Sequence, residues 1–303
     1  MYRKFYRLKE KPFELTPDPR FLFFSETHQE ALARLLYGVN ERKGFLLLTG
    51  DVGTGKTTML QTLNLRLDNS TRRILICNPK LSVNDLYRKL YLDLGFSGFY
   101  RSKVKFLGDL QSVLKQIAAI GHNVLLIIDE AQALPLRLLE EIRLLTNLET
   151  HTQKLLNIFL VGQPELRQML NGFRMRALSQ RISIQYNIKP LGEKDTIAYV
   201  KSRLQIAGAQ GATIFNHDAL RVIHEYSRGY PRVINILCDN ALISGFVKGT
   251  YTIGREIIRE CAKDISINAK DNHIPEQYLW TPARTRRCVD GRRFLPWFSG
   301  GTR

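Results

Sequence analysis

The apolar positions of the chain fall into two regimes. In the first, short aliphatic runs recur at 45–49 (FLLLT), 73–77 (RILIC), 124–128 (VLLII), 155–161 (LLNIFLV) and 182–186 (ISIQY). Runs of this length suit strands buried in a parallel sheet. Between them the apolar positions take helical spacing, over 56–67, 84–94, 105–120, 135–148 and 165–170. Strands alternating with helices predict an α/β fold class, a three-layer domain around a parallel sheet. Ahead of the first strand, "SETHQEALARLLYGVNERKG" reads as a helix, with its N-cap at Ser25 or Thr27 and its stop at Gly44.

The second regime begins after Pro190. Strand signals cease, and "GEKDTIAYVKSRLQIAG", "NHDALRVIHEYSRG", "YPRVINILCDNALISGFVKG" and "IGREIIRECAKD" all carry helical spacing. Gly208, Gly229 and Gly249 stand at plausible helix ends. This predicts a small all-helical domain. From residue 268 the periodicity dissolves into "TPARTRRCVDGRRFLPWFSGGTR", which reads as a basic flexible tail. The predicted organisation is an N-terminal extension and helix (1–44), an α/β domain (45–190), a helical domain (191–267) and the tail (268–303). No internal repeat is visible.

Composition adds a charge argument. The 303 residues, 44% hydrophobic, suffice for one or two packed domains. Lys+Arg 45 against Asp+Glu 28 gives a net charge of +17, which favours polyanions: nucleotides, nucleic acid or an anionic membrane face. The tail carries seven Lys/Arg and three acids, net +4, so +13 belongs to the rest of the chain. The cysteines, Cys77, Cys238, Cys261 and Cys288, show no paired short spacing. That argues against a zinc site or a disulfide framework and fits a reducing cytoplasm. The start, "MYRKFYRLKEKPF", has no apolar stretch of signal-peptide length, and no run of about 18 apolar residues predicts a membrane span.

The chemistry begins where the first strand ends. Gly50-Asp51-Val52-Gly53-Thr54-Gly55-Lys56-Thr57 follows the phosphate-loop pattern, with Thr58 next in the helix. Such a loop wraps its N–H groups around a β-phosphate, and glycines permit the backbone angles and the close approach. The following helix adds its N-terminal amides and positive dipole end. Lys56 supplies a cation to the β- and γ-phosphates, and Thr57 a hydroxyl ligand for Mg²⁺. At the end of the third strand, "VLLIIDEAQ" places Asp129 where it can hold Mg²⁺ through water, and Glu130 where it can polarise an attacking water. "LLNIFLVGQPEL" ends in Gln163, which can orient that water or sense the γ-phosphate. In "RMRALSQRISIQYNIKPL", Arg181 begins a strand at the far edge of the sheet, from which an arginine can reach a nucleotide on a neighbouring subunit; Arg174 and Arg176 compete for the role. In "SRGYPRVINILCDNA", Arg232 can fold back onto the γ-phosphate and couple nucleotide state to domain angle.

With these motifs in hand, the chain resembles the AAA+ ATPases, specifically the ExeA/GspA type associated with type II secretion. The carriers are "KPFELTPDPRFLFFSETHQEALARLLYGV", "LLTGDVGTGKTT", "LLIIDEAQAL", "LVGQPEL", "LSQRI" and "GYPRVIN". The resemblance implies that the phosphate loop is the Walker A motif, that Asp129 and Glu130 are the Walker B pair, and that Gln163 is sensor 1. It makes Arg181 the arginine finger and Arg232 sensor 2, and it places the N-terminal segment beside the adenine. It further implies ATP and Mg²⁺ as ligands, homo-oligomers with active sites between subunits, and a cytoplasmic location, at the inner face of the inner membrane where a secretion partner is engaged. Members commonly continue into a membrane span and a periplasmic region, whereas this chain ends at "RRFLPWFSGGTR". A similar module occurs in transposition regulators of the TnsC and MuB kind, which assemble on DNA, and the +17 charge suits that alternative too.

Overall fold

The computed structural model describes residues 1–265, apart from 17, 22, 78, 79, 97–101, 210 and 212. The predicted tail, 268–303, lies outside the described residues. Five strands form one sheet: β1 (Phe45–Gly50), β2 (Thr71–Ile76), β3 (Asn123–Ile128), β4 (Asn157–Gly162) and β5 (Ile182–Ile188), in the order β2-β3-β4-β1-β5. The helices are α1 (Tyr2–Phe5), α2 (Glu26–Asn40), α3 (Lys56–Arg66), α4 (Val83–Asp93), α5 (Lys103–Ala119), α6 (Leu136–Leu145), α7 (Pro164–Asn171), α8 (Arg176–Ser179), α9 (Glu193–Ile206), α10 (His217–Ser227), α11 (Pro231–Val247) and α12 (Arg255–Asp264).

The chain divides into two compact units, each assembled from separated segments. One takes its described residues from 34–49 and 66–186, the other from 1–33, 50–65 and 187–265.

The first unit holds the sheet. The inner strands β1, β3 and β4 are buried at every position, as their unbroken aliphatic runs require. They pair in parallel, with Phe45 opposite Ile158 and Leu126 opposite Ile158 in turn. Leu47, Leu126, Ile128, Ile158 and Leu160 meet Leu86, Phe106, Leu110, Leu139 and Ile142 of α4, α5 and α6 in one core. Each such fully buried side chain contributes about 1.5–3 kcal/mol of transfer free energy. The edge strands differ. β5 alternates between half-buried and exposed positions, and β2 carries Arg72 and Arg73. An edge tolerates charge, so β2 begins two residues earlier than its apolar run, at Thr71, directly after a turn in which Asp68 Oδ1 accepts from Ser70 N–H. The helix over 135–148 is shorter than its pattern: α6 stops at Leu145, where the Thr146 hydroxyl donates to Arg143 O.

At the amino edge of the sheet two buried asparagines secure the entry to β1. Asn157 Oδ1 accepts from Gly44 N–H at 3.0 Å, Asn157 Nδ2 donates to Asn123 Oδ1 at 3.0 Å, and Asn123 Nδ2 donates to Val39 O at 2.6 Å.

The second unit has its own core, from Ile223, Ile234, Cys238, Leu242 and Ile258 of α10, α11 and α12 together with Tyr2, Tyr6 and Phe13. Tyr2 donates to Asp239 Oδ1 at 2.5 Å and Tyr6 to Thr250 O at 3.0 Å, so the chain start is tied to residues more than 200 positions away. Asn216 caps α10 through Ala219 N–H, and Pro231 occupies the first turn of α11. Gly208, Gly229 and Gly249 take positive φ just past α9, α10 and α11, the conformation a helix terminus asks of glycine. Cys238 and Cys261 are buried free thiols.

Candidate nucleotide site

The loop 50–57 belongs to the second unit, where its glycines are used in distinct ways. Gly53 and Gly55 have φ of +82° and +99°, which side chains rarely adopt. A Cβ on Gly50 would come within 2.8 Å of Thr54 Oγ1 and 2.9 Å of Ile188 O. The loop closes on itself through Asp51 O, which accepts from Thr54 N–H, Thr54 Oγ1 and Lys56 Nζ. The ammonium of Lys56, a buried residue, also donates to Gly50 O at 2.6 Å. The loop then enters α3, whose first-turn amides, Lys56 through Thr58, precede any intrahelical partner and point out of the helix end. A left-handed glycine loop, a buried cation and a helix start together fit a phosphate group.

Two other parts of the same unit bear on this loop. A Cβ on Gly53 would lie 3.0 Å from Arg232 Cβ, so the predicted sensor arginine is packed against the loop. Arg232 also lines a cleft of about 350 Å³ with Phe13, Leu15, Asn235, Ile236 and Asp239. Phe13 and Leu15 come from the "PFEL" stretch of the N-terminal element. Below the loop, His28 is buried; its Nδ1 shares a hydrogen bond with Ser25 Oγ at 2.6 Å, and its Nε2 lies 3.4 Å from Thr54 O. Ser25 Oγ also accepts from His28 N–H, which makes Ser25 the cap of α2. Burial holds the His28 imidazole below its ordinary pKa.

The acidic residues belong to the sheet-bearing unit. Because β1, β4 and β3 are parallel neighbours, their carboxyl ends lie at one edge, where ligands of such sheets bind. Asp129 follows β3 and is buried, and its Oδ1 accepts from Glu130 N–H at 2.9 Å. Glu130 takes left-handed backbone angles, φ 55° and ψ 36°, strained for a residue with a side chain. Its Oε2 accepts from Gln132 Nε2 at 2.7 Å and from Gln163 Nε2 at 3.4 Å. Gln132 Oε1 in turn accepts from Gln163 N–H at 3.1 Å. Gln132 therefore staples the end of β3 to the end of β4. Gly162 allows this, since a Cβ there would meet Gln132 Oε1 at 2.7 Å.

Arg181 stands just before β5, and its Nη1 donates to Arg143 O at 3.0 Å, to Asn147 Oδ1 at 2.6 Å, and to the Thr146 hydroxyl. The guanidinium thus rests on the carboxyl end of α6. Its competitors Arg174 and Arg176 are exposed. Three residues of these clusters are given no role by the sequence motifs. Gln132 lies two positions beyond Glu130 in the same string, and its nearness was the available signal. His28 and Tyr230, which touches Asp51, act across the fold, and no local pattern marks them.

A family model described as an AAA domain matches residues 39–170. General secretion pathway protein A of Aeromonas hydrophila is 43% identical over 268 residues, 88% of this chain. The chain belongs to the AAA+ family. Within it, this is a module of the GspA type. It spans 49% of the length of that Aeromonas relative. Among solved structures, Drosophila ORC bound to DNA matches with a TM-score of 0.62 at 17% identity, over 89% of this AAA+ chain and 67% of that one. ORC2 of Aeropyrum pernix, in its ADPNP–ADP complexes, gives 0.59 at 16% identity, over 84% and 72%. The RuvB branch migration motor of Thermotoga maritima gives 0.51 at 18% identity, over 81% and 71%. At these identities the likeness is one of fold, and that fold is the P-loop AAA+ architecture with a helical C-terminal region. Among the described residues, no helix is long and apolar enough to cross a membrane.

Proposed function

We propose that the module binds ATP with Mg²⁺ and hydrolyses it, and that the cycle drives assembly or remodelling of a homo-oligomer. The observation that carries the reading is the loop 50–57, with two left-handed glycines, a buried Lys56 and Arg232 laid against Gly53. In this reading the amides of residues 50–57 and Lys56 hold the β- and γ-phosphates, Thr58 extends the loop's helix start, and the cleft beside Phe13 and Leu15 takes the base. Thr57 and Asp129 hold Mg²⁺. The metal, when bound, neutralises charge on the phosphate oxygens. Glu130 accepts the proton of the attacking water, and its left-handed backbone and two amide partners fix the direction of the carboxylate. Gln163 orients the water. Arg181 acts on a neighbouring subunit's nucleotide, and Arg232 reports phosphate occupancy to the helical region. The domain division at 44/45, 190/191 and 267/268 is proposed with it.

The 43% identity to a secretion-pathway protein supports a role in assembling envelope machinery, from the cytoplasmic side of the inner membrane and with a membrane partner. A second reading, ATP-gated binding to duplex DNA, is favoured by the net charge of +17. Salt-dependent fluorescence anisotropy on duplex DNA, with and without ATP, separates the two; ATP-independent or absent binding at low salt goes against the DNA role.

Hydrolysis itself is tested by phosphate release. Glu130→Gln is expected to keep ATP binding and to slow release by roughly 10²- to 10⁴-fold, the scale of general base catalysis. Equal rates in variant and wild type would refute the enzymatic claim.

A further inference from the structure

The second residue of the phosphate loop is acidic. Asp51 sets a carboxylate within a segment otherwise suited to gather anions. Like charges at short range disfavour one another, most of all away from bulk water. The carboxylate is engaged: Tyr230 donates its hydroxyl to Asp51 Oδ2 at 2.8 Å, across 179 residues of sequence.

Tyr230 is well placed to hold that bond. It is the N-cap residue of the 17-residue helix α11, and the turn before it is pinned. Leu191 N–H donates to Gly229 O at 2.9 Å, and Tyr230 N–H to Ser227 O at 3.0 Å. Arg228 takes a left-handed φ of 50°, and Gly229 has no room for a side chain, because a Cβ would fall 1.8 Å from Leu191 O. Two residues further on, Arg232 packs on Gly53. The turn 228–232 is thus a fixed arm laid along the loop, with a hydroxyl at Asp51 and an aliphatic stem at Gly53. Burial and the Asp51 bond push the Tyr230 hydroxyl up to about 12, so it remains a donor throughout the physiological range.

We propose that Tyr230 is a positioning residue that captures the Asp51 carboxylate and so limits its repulsion of a polyphosphate on the loop. The inference rests on the reading of residues 50–57 as the ATP site. A bond serving only to tether α11 would leave the charge of Asp51 irrelevant, and this difference can be measured.

Calorimetric titration of the full chain with ATP·Mg²⁺ would compare wild type, Tyr230→Phe, Asp51→Asn and the double variant. Tyr230→Phe is expected to weaken binding roughly three- to tenfold at low salt, the scale of one hydrogen bond to a charged group, and less at high salt, where charge repulsion is screened. Asp51→Asn should bind at least as tightly as wild type, and the double variant should recover that affinity. Tyr230→Phe binding like wild type, a double variant that keeps the full defect of Tyr230→Phe, or an Asp51→Asn weaker than wild type would each overturn the inference. If Tyr230→Phe misfolds by circular dichroism, Asp51→Asn decides: it is expected to bind ATP more tightly than wild type at low salt and to converge with it at high salt, and equal affinity at both salts would overturn the inference. A wild-type chain that binds no ATP would overturn the ATP reading itself, and the inference with it.

Discussion

Gln132 donates to Glu130 Oε2 at 2.7 Å and, through its other amide atom, accepts from Gln163 N–H at 3.1 Å. One side chain therefore sets both the carboxylate proposed as base and the strand end that carries its partner. Gln132→Ala is expected to lower kcat roughly tenfold, with a smaller change in KM, because orientation of a base is realised in the transition state. Steady-state phosphate release checks this. A change confined to KM would place Gln132 outside the catalytic arrangement.

Arg181 leans on the end of α6 through Nη1, so its guanidinium is oriented before any neighbour arrives. Arg181→Ala should reduce turnover by roughly 10³-fold or more, as loss of an arginine finger does. Action in trans has a sharper signature. Mixing Arg181→Ala chains with inactive Lys56→Ala chains should restore part of the activity, since some interfaces then pair an intact loop with an intact Arg181. Exposed Arg174 and Arg176 serve as comparison sites, and a larger loss at either would transfer the role.

Asn157 satisfies Gly44 N–H and Asn123 within the sheet's buried amino edge. Asn157→Ala strands those groups without water, at a cost of about 1–3 kcal/mol. A lowered urea midpoint, with α/β circular dichroism retained before the transition, is the expected outcome. An unchanged midpoint would mean that the edge admits water.

His28 and His224 are both held below the ordinary value of 6.5 by burial. Their depressed values mean that the folded chain binds fewer protons than the unfolded one. Their share of stability is complete above pH 6.5 and falls as the pH drops below it, through the folded values. The urea midpoint should therefore drop between pH 7.5 and pH 5.5, and His28→Gln should shrink that drop. An equal pH response in the variant would show that His28 does not titrate with folding.

The inner strands were legible because β1, β3 and β4 are buried on both faces and are built mostly of apolar residues. The edges blurred for the opposite reason: Arg72 and Arg73 sit inside β2, where an exposed edge lets charge into a strand. The phosphate loop could be read because its backbone angles restrict it to glycine at fixed positions. β5 stands at the edge expected for it, but the order of the inner strands was out of reach, since β1 comes to lie beside β4 by crossovers that no local pattern records. The same holds for Tyr230 on Asp51 and Tyr2 on Asp239, contacts that exist only once distant segments have met.

Nucleotide capture by residues 50–57 is the first step of the proposed cycle. Calorimetry with ATP should show magnesium-dependent, saturable heat for the wild-type chain, and Lys56→Ala, which removes the buried ammonium over the loop, should abolish or severely weaken it. Saturable heat of equal affinity from Lys56→Ala, or none from the wild type, would contradict it.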